Sequence, residues 1–104
     1  MGLGRATHKG KVARVQADLK AFEGALLAYE SENGSLPPSD QGLKVLIEGG
    51  YLNKRDVPKD PWKHEYVYVV PGPSNLPFDI VSYGADGQEG GEEKNQDIKL
   101  SEIE

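Results

Sequence analysis

The chain has 104 residues and no cysteine, which limits it to a modest hydrophobic core and excludes disulfides, thiol catalysis and thiolate metal sites. Charged residues make up 28% and hydrophobic ones 37%, with a formal net charge of −5; this suits a folded soluble domain and argues against a general nucleic-acid binder. The charge is uneven, since residues 1–20 hold five cations against Asp18 alone, while residues 86–104 hold seven acids and two lysines. That asymmetry gives the molecule a basic end and an acidic end.

The first ten residues lack the apolar stretch of a signal peptide, and no run approaches the roughly 20 apolar residues that span a bilayer. From residue 10 to 33 the pattern is helical. Val12, Val15, Leu19, Phe22, Leu26 and Tyr29 recur at three- and four-residue steps, which puts them on one face. Five alanines raise helix propensity in the same stretch, and Asn33-Gly34 supplies a left-handed stop. The stripe suits packing on a sheet, with a free-standing coiled coil as the other reading.

Ser35 to Gly42 is rich in turn formers, and Ser39 or Asp40 is placed to cap a short helix over about 40–48. Leu43, Leu46 and Ile47 would face inward, and Gly49-Gly50 would end it. Pro58-Lys-Asp-Pro-Trp62 is a second turn with preset backbone angles. Trp62 is either a ligand-stacking platform or, as the simpler reading, an anchor whose indole N–H meets a carbonyl. Glu65–Val70 and Phe78–Tyr83 are strand candidates separated by a long Pro- and Gly-rich loop, which makes them a hairpin. Tyr66 and Tyr68 fall on one strand face. A long helix followed by a small antiparallel sheet is an α+β arrangement.

His8 and His64 are the only histidines, and both lie in polar surroundings. No nucleophile elbow, phosphate loop or HExxH pattern occurs, and Ser82 has no histidine near it in sequence. The chain is therefore read as a non-enzyme. The segment that invites a chemical reading runs from Ser82 to Asp97. Gly84, Gly87, Gly90 and Gly91 let carbonyls turn inward, and Asp86, Glu89, Glu92, Glu93 and Asp97 add anionic oxygen. An EF-hand does not fit, because Gln88 stands at its third position. On composition the segment is either a hard-cation loop or a solvated acidic turn.

The order of segments resembles the soluble domain of the major pseudopilins of bacterial type II secretion systems. The matching pieces are Leu26–Tyr29, Glu32-Asn-Gly-Ser-Leu-Pro37, Asp40-Gln-Gly-Leu43, Gly50-Tyr-Leu52, Pro58-Lys-Asp-Pro-Trp62, Phe78-Asp-Ile80 and Ser82-Tyr-Gly-Ala-Asp-Gly87. No single motif is specific, but their order and combination are, and they cover about residues 10–98. The resemblance implies a single pilin-like periplasmic domain over 1–104, with the family's apolar membrane helix absent and the 10–33 helix as the lower half of its spine. It implies a filament subunit anchored in the inner membrane. Such subunits assemble with other pseudopilins and inner-membrane secretion proteins to push folded exoproteins through the outer membrane. It also implies calcium, held by the Asp86 carboxylate, the carbonyls of Tyr83 and Gln88, a second acid at Glu93 where aspartate is usual, and a position near Asn95. The stretch before Tyr51 is shorter than the family's, and the tail after Lys99 departs from it. A type IV pilin-like or minor pseudopilin subunit is thus an alternative, as is a stand-alone extracytoplasmic binding module with an exposed aromatic cluster. The filament reading expects a buried Trp62 and a helix stripe partly exposed toward its amino end.

Overall fold

A computed structural model of the chain describes residues 7–92 and 95–103. Helix α1 (His8–Asn33) opens at Thr7, whose extended backbone turns its Oγ1 toward the Gly10 N–H at 3.0 Å. This side-chain cap satisfies an amide that has no partner within the helix, and it starts α1 two residues before the predicted start at residue 10. Gly34 ends the helix in the left-handed conformation (φ 86°), and its N–H donates to the Glu30 carbonyl. At about 1.5 Å per residue α1 is roughly 39 Å long, in a molecule whose longest extent is 48 Å.

Val15, Leu19, Phe22, Ala25 and Leu26 are the buried face of α1, while Val12 and Tyr29 at the two ends of the stripe are half-buried. Burial of each large apolar side chain favours the fold by about 1.5–3 kcal/mol. That stripe, rather than helix propensity, is what fixes α1 to the rest of the chain.

Helix α2 (Gly42–Glu48) is shorter than the pattern suggests, and neither Ser39 nor Asp40 caps it. The Pro38 carbonyl accepts from the N–H groups of both Gln41 and Gly42, so backbone already satisfies the helix entry. Leu43 and Leu46 are buried, Ile47 is half-buried, and Tyr51 and Leu52 fold back onto the core.

The sheet has three antiparallel strands in the order β1 (Val67–Val69), β2 (Asp79–Ser82) and β3 (Ile98–Lys99). Tyr68 pairs with Ile80, and Ser82 pairs with Ile98. Strand β2 is central and buried along its whole length. The predicted hairpin is present, but β3 has no counterpart in the sequence reading: two residues cannot display a period. A 3-10 turn, Leu100–Glu102, follows β3 and is clasped to β2. The carboxylate of Asp79, only 2% exposed, accepts from the Ser101 N–H (2.9 Å) and Oγ–H (2.7 Å).

Aromatic rings bridge the layers. Phe22 of α1 meets Tyr66 edge-on at 5.2 Å, and Tyr29 meets Tyr51 at 5.4 Å. The Tyr66 hydroxyl donates to Asp18 (2.6 Å), and the Tyr68 hydroxyl donates to the Pro37 carbonyl (2.8 Å). Both tyrosines are buried on the core face, as period-2 alternation predicts.

Trp62 is half-buried rather than buried. It packs against the core and lies 5.9 Å from the His8 ring. Its turn is fixed by its backbone N–H, which donates to Asp60, rather than by the predicted indole anchor.

Candidate metal-binding loop

Residues 83–92 and 95–97, between β2 and β3, run as turns and bends. The Gly87 N–H donates to the Gly84 carbonyl (3.2 Å), and the Gln88 N–H donates to Asp86 Oδ1 (3.1 Å). Asp86 is therefore held in a local side-chain turn at the loop tip, exposed to solvent. The far arm comes back beside the first. A Cβ at Gly84 (φ 78°) would stand 2.7 Å from the Gln96 carbonyl oxygen, and one at Gly91 (φ 97°) would collide with the Asn95 carbonyl. Glycine is required at these two positions by space as well as by backbone angle.

Four of the five residues that the family resemblance assigns to calcium are described. Tyr83 is half-buried at the loop entrance, Asp86 and Gln88 share the tip, and Asn95 packs its backbone against Gly84 and Gly91. Glu93 lies outside the described residues. Among the described residues no three His, Cys, Asp or Glu side chains cluster as a metal site. An ion held here would thus depend on backbone carbonyls as much as on carboxylates.

Asp97 stands apart from the assigned set. Its Oδ2 accepts from the Gly90 N–H at 2.9 Å, whereas its Oδ1 is buried without a hydrogen-bond partner among the described residues. An anionic oxygen withdrawn from water and left unpaired is unfavourable unless a cation or donor meets it. Asp97 and Tyr83 line the same cleft beside Lys99. All-oxygen donors, tight glycine turns and a buried orphan carboxylate oxygen fit a hard cation such as calcium. In the sequence Asp97 is one of five loop acids, with nothing in its neighbours that singles it out.

The two histidines do not meet. His8, at the start of α1, lies beside Trp62 with the two rings tilted by 43°, and His64 lies against Gly87. The exposed aromatic cluster of a binding module is also missing among the described residues, because Tyr66 and Tyr68 are buried and Trp62 is packed.

Residues 3–101 match the family described as "Type II secretion system (T2SS), protein G". The chain belongs to this family. The type II secretion system core protein G of Vibrio cholerae is 38% identical over 102 residues, covering 86% of this chain and 68% of the relative. That of Pseudomonas aeruginosa is 38% identical over 103 residues, covering 86% and 70%. A crystal structure of the major pseudopilin from the type 2 secretion system of enterohaemorrhagic Escherichia coli superposes with a TM-score of 0.73. It is 31% identical and covers 88% of this chain and 86% of that one. The long helix and small antiparallel sheet are thus the pseudopilin fold. Among the described residues no helix is long and apolar enough to cross a membrane.

Proposed function

We propose that this chain is the folded part of a major pseudopilin, a structural subunit that joins copies of itself and other pseudopilins into the helical pseudopilus. Growth of that filament pushes folded exoproteins through the outer membrane. The carrying observation is the likeness to the major pseudopilin of known structure, in both fold and sequence, over nearly the whole chain. On this reading the domain lies on the periplasmic side of the inner membrane, where the subunit is anchored and meets the inner-membrane proteins of the machine. In the native host, loss of this gene should trap exoproteins in the periplasm, and a plasmid copy should restore them to the medium. Unchanged secretion in the deletion strain would defeat the assignment.

The same proposal places calcium in the 83–97 loop. Asp86, Asp97 and the carbonyls of Tyr83, Gln88 and Asn95 offer its oxygens, with Glu93 as a further acid. The ion would supply charge neutralisation and a fixed loop shape. The support is the loop's donor chemistry together with the unpartnered Asp97 Oδ1. Calcium at a hundred times its Kd adds about 2.7 kcal/mol, which for a domain of this size raises Tm by about 10–20 °C. Magnesium should do far less, because it dehydrates reluctantly and demands a stricter octahedron. Asp86→Ala should abolish the calcium shift, and a wild-type protein whose Tm ignores calcium has no such site.

A further inference from the structure

Two independent holds tie the loop to the turn at Asp60–His64, far away in sequence. The first is a line of hydrogen bonds, half-buried at the turn and buried at Ser82. The Asp60 carboxylate, 2% exposed, accepts through Oδ1 from the backbone N–H groups of Trp62 (3.0 Å) and His64 (2.9 Å), and through Oδ2 from the Ser82 hydroxyl (2.8 Å). Ser82 is fully buried, and the same Oγ accepts from the Gly84 N–H at 3.3 Å. The line therefore runs from the turn, through the end of β2, into the first glycine of the loop.

The second hold is steric. The His64 imidazole lies so close to Gly87 that a Cβ there would stand 2.8 Å from Cε1. Asp86 sits between the two held glycines. One face of the loop tip is thus set by a turn that contributes no ligand to it.

We propose that Asp60, Ser82 and His64 are positioning residues for a divalent cation in this loop, and that the Asp60–His64 turn sets the loop's affinity without touching the ion. This rests on the calcium reading above. Cation ligands must converge to about 2.3–2.6 Å, and groups behind the ligands govern that convergence. Their loss typically weakens metal binding by about 10–100-fold.

The test is calorimetric titration of the metal-stripped protein with calcium chloride, comparing wild type, Ser82→Ala, Asp60→Asn and His64→Ala. Metal-free Tm and far-UV circular dichroism are recorded for each. Ser82→Ala should raise Kd about tenfold or more, and His64→Ala should raise it several-fold while leaving the metal-free Tm near wild type. If the variants lower the metal-free Tm but bind calcium with the wild-type Kd, the turn is only structural and the inference is overturned. Should Ser82→Ala or Asp60→Asn fail to fold, His64→Ala decides, since His64 is half-buried and outside the apolar core. Wild-type protein that takes up no calcium overturns the calcium reading itself, whereas wild-type binding with unchanged variants overturns this inference alone.

Discussion

Glycine at position 84 and glycine at position 90 look alike in sequence, and both adopt left-handed backbone angles (φ 78° and 88°). Their surroundings differ. A methyl group on Gly90 would meet open space, while one on Gly84 would press on the Gln96 carbonyl. Gly90→Ala should therefore cost only the left-handed penalty, about 1–2 kcal/mol. Gly84→Ala should add a steric cost of about 1–3 kcal/mol. Urea unfolding of the two variants checks the order, and equal losses would mean that the loop arms are not in contact. The same contrast marks the limit of sequence reading at this scale. Glycine and acid content located the loop, but only packing tells a glycine needed for space from one needed for its angle. Asp60, Asp79 and Asp97 likewise read as ordinary acids. A sequence shows the charge and not the N–H and O–H donors that allow two of them to be buried.

Elements were legible in proportion to their length. The stripe from Val15 to Leu26 spans several turns, so its three- and four-residue steps predicted α1 and its buried face directly. Adjacent leucines show how sharply that face is cut, since Leu26 is fully buried and Leu27 is 50% exposed. Leu26→Ala should destabilise by about 2–5 kcal/mol, and Leu27→Ala should stay within about 0.5 kcal/mol. Chemical denaturation of both variants tests the assignment, and a comparable loss at Leu27 would place the helix in a different rotation. At the other extreme, β3 has two residues, too few for an alternating pattern to show, although they pair with Val81 and Ser82 of β2. The entry to α2 departs from the pattern for a related reason. Ser39 and Asp40 are favoured cap residues, but the Pro38 carbonyl reaches the first amides before either side chain is needed.

At the scale of the whole molecule, two tyrosines link the core to alkaline stability. Burial, reinforced by the hydrogen bond to Asp18, pushes the Tyr66 phenol far above its ordinary value near 10, and burial with nearby Glu30 pushes Tyr68 up to about 12. A phenol whose folded value is raised favours the fold fully below about pH 10, and that contribution is lost as pH climbs through the folded value. Stability should thus be level from neutral pH to about 10 and fall beyond it. Of the five tyrosines, Tyr66 should ionise only as the protein unfolds, and Tyr68 not before about pH 12 unless unfolding comes first. An absorbance titration at the phenolate band, followed beside circular dichroism, tests this: all five ionising before any loss of structure would contradict the buried hydroxyls. Phe22→Ala should make both transitions earlier, because it removes the ring that covers Tyr66.

The clasp between Asp79 and Ser101 bears on when the protein can finish folding. A chain that emerges vectorially, from a ribosome or a translocation channel, delivers α1, α2 and the β1–β2 hairpin well before residue 101. Until Ser101 arrives, the central strand carries a carboxylate destined for the interior with two of its three donors missing. Hydrogen bonds to a charged acceptor are worth about 1.5–3 kcal/mol each, so a nascent chain shorter than this has reason to stay open. Completion of the fold is thereby tied to the emergence of Ser101, and a chain cut upstream of Ser101 should behave as unfinished rather than merely shortened.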